Sequence, residues 1–318
     1  MSRHHRNRSW APSPEPLPEG TEVVDDHTHM ASVVPFAAEM DRQARDRGQD
    51  PVPVRDVDRQ LEDARAVGVT GAIDVGCELP NLRRAVDLAL EHPGVVHAAL
   101  AIHPNEAVLH GHRGSPGPDG LPLDYRPWHD IPFEDALAEV DRLARSFPDQ
   151  VVAIGETGMD LFRTGAASAG LQRQAFRDHI RLAKELGLPM QIHDRDAHAE
   201  VVETLLADGA PEFTVFHSYS GDEAMARVVA EQGWYLSLSG TVSYKGNEQI
   251  RRSLAIVGLD HIMVETDAPY LTPMPYRGRT NAPYMIPYTL RAMADALDIP
   301  IQEVARATRR TTERVYGI

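Results

Sequence analysis

Short apolar, β-branched runs recur eight times along the chain. They lie near residues 23–27, 70–75, 95–102, 151–155, 188–192, 213–217, 234–239 and 261–265. Each has the length and composition of a buried strand. Between them run stretches with apolar residues three and four apart, the spacing of one helix face. These are Val57 to Ala66, Leu82 to Glu91, Phe133 to Ser146, Leu171 to Leu186 and Ala197 to Ala207. Residues 283–316 read as two further helices, separated near Asp298 to Pro300. Eight alternations of strand and helix predict a parallel sheet closed as a (β/α)8 TIM barrel. No Gly-x-Gly-x-x-Gly or Walker-type loop is present, which counts against an open dinucleotide-binding sheet.

Residues 1–20 are rich in proline and poor in apolar residues, and they read as a disordered tail. A single domain is expected over 21–318. Two connections are long, 31–55 after the first strand and 104–132 after the third. Connections of that length after strands lie on a barrel's catalytic face and are expected to be lids or disordered. The paired histidines His4 and His5, and His110 with His112, fall in the tail and in the second of these connections. They are read as loop residues, not as ligands.

Charge narrows the possible partners. The net charge is −15, which argues against a broad surface for polyanions. It leaves room for a local site where metal ions meet phosphate. Lysine occurs only at Lys184 and Lys245. The lone cysteine, Cys77, excludes an internal disulfide and suits a reducing compartment. No apolar run approaches a membrane span, and no apolar segment follows the basic residues at the start. A cytoplasmic monomer without membrane association is therefore expected.

The ends of the strands carry the chemistry. The first strand runs into Asp25-Asp26-His27-Thr28-His29. Residues two apart on a strand point the same way, so His27 and His29 can aim two imidazoles at one point. The third strand ends at His103, the fourth at Glu156, the fifth at His193 and the sixth at His217. The eighth gives Glu265 and Asp267. One buried histidine is an ordinary core residue. Ionisable groups on six strand ends are not, because a barrel gathers its strand ends at one face. Imidazole and carboxylate together suit zinc, manganese or a similar divalent ion, while magnesium would prefer more oxygen. Some barrels of this kind bridge two ions with a carbamylated lysine on the fourth strand. Neither lysine here lies on a strand end, so Glu156 is the natural bridge.

Taken in order, these motifs resemble the TatD family of metal-dependent deoxyribonucleases, within the amidohydrolase-like barrels. The matching stretches are Asp25-x-His27-x-His29, Ala101-Ile-His103-Pro104, Ile154-Gly-Glu156-Thr-Gly158-Met-Asp160 and Ile192-His193-Asp-Arg195-Asp-Ala197. Phe216-His217-Ser-Tyr-Ser220-Gly221 and Glu265-Thr-Asp267-Ala-Pro269-Tyr270-Leu271 follow, and then Pro275-x-Arg277-Gly-x-x-Asn281-x-Pro283. The resemblance implies two divalent ions (Zn, Mg or Mn). His27, His29 and Asp267 would hold one, His193 and His217 the other, and Glu156 would bridge them. Met30-Ala31 stands where the family usually has Leu-Asp, and Thr157 where it usually has an aliphatic residue. Neither departure removes a ligand.

The expected activity is hydrolysis of DNA phosphodiesters, 3′-5′ exonuclease-like, on single-stranded ends. Asp267 is the expected proton acceptor for the attacking water. Arg195 and Arg277 are candidate phosphate clamps, and His103 a candidate substrate contact. Glu265 reads as support for the ligands, and Tyr219 as either a stacking platform or a packing residue. Two other readings stand beside this one. The same metals could serve an esterase or deacylase, for instance on aminoacyl-tRNA. Alternatively, the barrel could hold its ions in a closed structural site.

Overall fold

The computed structural model describes residues 9–111, 121 and 123–318. Eight strands follow the sequence expectation: β1 (Val23–Thr28), β2 (Val69–Gly76), β3 (Val96–Leu100), β4 (Val151–Asp160), β5 (Met190–Arg195), β6 (Thr214–Phe216), β7 (Tyr235–Leu238) and β8 (Ile262–Val264). They lie in one sheet in chain order. The pairs β3–β4, β4–β5, β5–β6 and β6–β7 are parallel. At least one helix follows every strand. This is the (β/α)8 TIM barrel class. No helix among the described residues is long and apolar enough to cross a membrane.

By contact density the chain divides into two compact units. One runs up to Ile73 and resumes over Ser237–Thr312; the other is Asp74–Leu236 with Glu313–Ile318.

In the first unit β1 is buried along its whole length. The chain leaving β8 runs beside it: Asp267 N donates to His27 O and His29 N to Ala268 O, each at 3.0 Å. Two expectations are corrected here. The stretch after β1 is mostly not loop but a 17-residue helix, α1 (Met30–Asp46). Met30, Val33, Ala37, Met40 and Ala44 form its buried stripe. Pro35 inside the helix obscured that periodicity. A second helix, α2 (Val57–Arg65), is capped by the Asp56 carboxylate, which accepts from Arg59 N.

The second correction concerns residues 9–20, which are not a disordered tail. Trp10, Ala11 and Leu17 are buried. Trp10 Nε1 donates to Pro53 O at 2.6 Å, Leu17 N to Val67 O at 3.0 Å, and Tyr284 OH to Ala11 O at 2.8 Å. The Arg55 guanidinium lies 4.4 Å above the Trp10 ring and 4.9 Å above that of Tyr284. The segment has no periodicity of its own because every one of these partners comes from elsewhere in the chain. His4 and His5 lie outside the described residues.

The second unit carries α3 (Leu79–Glu91), α4 (Pro104–Leu109), α5 (Phe133–Ser146), α6 (Ala169–Leu186), α7 (His198–Asp208) and α8 (Glu223–Gln232). Strand β4 is fully buried over ten residues. Its two glycines explain how it lies against β5. A Cβ on Gly155 would meet Gln191 Cβ at 2.5 Å, and one on Gly158 (φ 143°) would meet His193 O at 2.1 Å. Beyond β7 the chain continues through α9 (Glu248–Val257), α10 (Ile286–Leu297) and α11 (Ile301–Tyr316). Asp298 makes the left-handed turn between α10 and α11.

Candidate metal centre

In the second unit, four residues expected at strand ends come together, although β4 runs on past Glu156 to Asp160. His103 caps α4, and its backbone N donates to Cys77 O at 2.9 Å. Glu156 stands midway along β4, His193 near the end of β5 and His217 just past β6. His217 Nε2 lies 2.8 Å from Glu156 Oε2, and His193 Nδ1 lies 3.1 Å from the same oxygen. His103 Nε2 is 3.3 Å from His193 Nδ1. Ligand-type atoms of His103, Glu156 and His193 all fall within 4.8 Å of one another.

Two residues at this site were missed as site residues in the sequence. Asp160, the last residue of β4, is buried, and its Oδ2 lies 3.4 Å from His193 Nε2. Asn105 Nδ2 donates to Asp160 Oδ2 at 2.9 Å, and Arg163 N donates to Asp160 Oδ1 at 2.6 Å. Asp160 is four residues past Glu156 on an extended strand, so the same-face rule that paired His27 with His29 could have found it. Asn105 carries no such signal, since it depends on how α4 begins.

The electrostatics of the cluster show what it is built for. Burial alone would raise the Glu156 carboxyl; the imidazoles of His217, His103 and His193 outweigh it and hold the group well below the usual range. Burial would likewise lower His193, but Asp160 and Glu156 lift it to about 9. His103 faces imidazoles more than carboxylates, and burial pushes it down to about 3. Asp160 stays below the ordinary range despite burial, through His193, Arg163 and Asn105. A carboxylate pair that raises a buried imidazole this far marks a locus that favours positive charge. With imidazole nitrogen as the other donor, the set fits a divalent cation of the zinc or manganese type.

The first unit holds the other predicted ligands. His27 is buried and His29 nearly so, with ring centroids 5.2 Å apart. His29 Nε2 lies 3.5 Å from Asp267 Oδ1. Asp267 adopts a left-handed conformation (φ 51°), which a short polar side chain tolerates. The segment around it is tied down. The Asp25 carboxylate accepts from Thr266 N at 2.8 Å and from Thr266 Oγ1 at 2.5 Å. Asn281 Nδ2 donates to Thr266 O and Tyr270 O at 2.9 and 2.6 Å. Burial pushes the Asp25 carboxyl up to about 8 against those bonds. Asp26 accepts from Ser237 Oγ at 2.6 Å, and Glu265 is buried. The two leading aspartates of the Asp-Asp-His-Thr-His run are therefore struts for its histidines.

Both candidate phosphate clamps are exposed, each with its guanidinium over a ring. Arg195 lies 4.0 Å above Phe162, and Arg277 4.3 Å above Tyr244. Neither is paired with a carboxylate among the described residues. Tyr219 is a packing residue and not a stacking platform: it is buried and its hydroxyl donates to Asp222 O at 2.7 Å. His110 is buried, its ring 5.2 Å from that of His129, which in turn lies 2.6 Å from Glu106 Oε2. His112 lies outside the described residues.

A (β/α)8 barrel whose strand ends carry imidazoles and carboxylates around a cation-favouring locus is the frame of a metal-dependent hydrolase. The sequence profile of the family described as "TatD related DNase" matches residues 24–317, and the chain belongs to that family. It is 38% identical over 303 residues to a Mycobacterium tuberculosis protein named "Uncharacterized metal-dependent hydrolase TatD", covering 93% of this chain and 98% of the relative. It is 31% identical over 264 residues to the Bacillus subtilis metal-dependent hydrolase YabD, covering 83% and 93%. The fold is similar to the crystal structure of the Escherichia coli TatD homologue YjjV, with a TM-score of 0.73 at 24% identity over 93% of this chain and 98% of that one.

Proposed function

We propose that this hydrolase cleaves DNA phosphodiesters, working from single-stranded ends in the 3′-5′ direction. The observation that supports it most is the cation-favouring cluster in which His193 and His217 share the Glu156 carboxylate, in a chain whose family is described as a DNase. The proposed ligands are His27, His29 and Asp267 for one ion and His193 and His217 for a second, with Glu156 between them. When bound, Zn2+, Mg2+ or Mn2+ would make a water acidic near neutral pH and offset charge on phosphate oxygens.

The chain's own groups do the rest. Asp267, held by its backbone bond to His27 O, takes the proton of the attacking water on its carboxylate. Arg195 and Arg277 offer planar forks to the phosphate, each preset by the ring beneath it. His103 meets the substrate from the start of α4. An acidic chain has little affinity for DNA away from the site, which favours binding of an end over wrapping of a duplex.

The test is nucleotide release from single-stranded DNA after chelation, with Mg2+, Mn2+ or Zn2+ added back, beside the Asp267→Asn variant. The expected result is metal-dependent release that the variant loses. No release with any metal, from folded protein that binds two ions, would refute the nuclease reading. It would turn attention to carbonyl esters such as aminoacyl-tRNA.

A further inference from the structure

His103 offers a nitrogen close enough to Glu156 and His193 to count as a further ligand of their ion. We infer instead that His103 meets the site as a fixed hydrogen-bond donor to a substrate oxygen, its tautomer set by Asn105 and held through Asp160. The inference deepens the hydrolase reading and rests on it.

The proton's place follows from the start of α4. The first N–H groups of a helix have no acceptor within it. Here Asn105 N donates to His103 Nδ1 at 3.1 Å. That nitrogen must therefore be bare. A neutral imidazole with a bare Nδ1 carries its hydrogen on Nε2. Nε2 is the atom that faces His193 Nδ1 at 3.3 Å. To ligate through Nε2, His103 would have to move its hydrogen to Nδ1. That hydrogen would then oppose the Asn105 N–H head-on. An imidazolium meets the same clash.

Asn105 is itself anchored. Its Nδ2 donates to Asp160 Oδ2, and Arg163 N holds the other carboxylate oxygen. The same Oδ2 faces His193 Nε2, the edge of that ring turned away from Glu156. One buried carboxylate thus orients two imidazoles in opposite senses. His193 Nδ1–H donates to Glu156 Oε2; with an ion bound, Asp160 would hold the ring's proton on Nε2 and leave Nδ1 to ligate, while His103 presents Nε2–H. A rigid N–H beside the ligand atoms is suited to an oxygen that gains negative charge during hydrolysis, whether on phosphorus or on carbon.

The test uses the full chain with nitrogen-15-labelled histidine, loaded with cadmium-113. Expected is a protonated Nε2 and a bare Nδ1 on His103, with metal coupling at His193 and His217 but none at His103. Coupling at His103 Nε2, or a bare Nε2, would overturn the inference. Metal titration gives a second reading. His103→Gln should keep the affinity of the unsubstituted chain within roughly threefold, whereas loss of a true ligand or its orienting partner costs roughly 10–100-fold. A loss of that size in His103→Gln also overturns it. Asp160→Asn should broaden the His103 signals as Asn105 is released; unchanged signals would remove Asp160 from the assignment. None of these readings needs a substrate, so a failed nuclease assay leaves them intact.

Discussion

His179 supports the site from behind, and its protonation should be visible in stability. It lies on α6, fully buried. Its Nε2 accepts from Ile102 N at 3.0 Å, and its Nδ1 donates to Ala175 O at 2.8 Å. Ile102 immediately precedes His103. Burial pushes His179 down to about 4 from its ordinary 6.5. The unfolded chain therefore binds this proton below about 6.5, and the folded chain only near 4. Stability contributed by neutral His179 is complete above 6.5 and drains away as pH falls toward 4. Below 4 there is no further change. Linkage with those two values gives a loss of about 2 kcal/mol between about pH 7.5 and pH 5, and about 3.4 kcal/mol once pH is well below 4.

His179→Leu removes both the titration and the acceptor. At about pH 7.5 it leaves the Ile102 N–H buried without a partner, at a cost of about 1–3 kcal/mol. At about pH 5 the unsubstituted protein has lost most of that advantage, and the variant has not. The stability gap should then narrow by about 2 kcal/mol. Urea unfolding of both proteins at the two pH values, in chelator so that metal binding does not contribute, measures the gap directly. A gap of equal size at both pH values would refute the reasoning, whatever its absolute size.

Three further expectations follow from the geometry. Glu156→Ala removes the carboxylate that two imidazoles share, and should abolish hydrolysis and one ion of metal binding; full turnover in that variant, followed by nucleotide release, would sink the bridging assignment. Gly158→Ala drives a Cβ into His193 O and should cost more than about 3 kcal/mol or prevent folding, read by thermal unfolding and yield of soluble protein. Trp10→Ala empties the slot beneath Arg55 and should cost about 3 kcal/mol by urea midpoint, against nothing for a truly disordered tail.

The barrel was legible because its information is local. Eight apolar runs and the helical spacing between them are each contained within a few residues, and all eight strands fall where that pattern put them. The ligand types were legible for a related reason: an ionisable residue that ends an apolar strand stands out against its neighbours. What escaped the sequence depends on contacts with distant residues. The 9–20 segment is folded by Pro53, Val67, Arg279 and Tyr284, and nothing within it forecasts those partners. Helix α1 was hidden by Pro35, whose ring faces solvent and leaves the buried stripe intact.

The site shows the same division more sharply. The residues that offer lone pairs could be named from motif and position. The residues that decide where each lone pair points could not, because a tautomer is set by whichever atom lies on the far side of the ring. Asn105 sets His103 from a helix terminus, Asp160 faces His193 from the end of a neighbouring strand, and His179 secures Ile102 from α6. Each lies outside the set of ligands, yet each fixes a nitrogen or a backbone on which the site depends. Residues of this kind should therefore reveal themselves in metal affinity, tautomer state and pH-dependent stability before they reveal themselves in turnover.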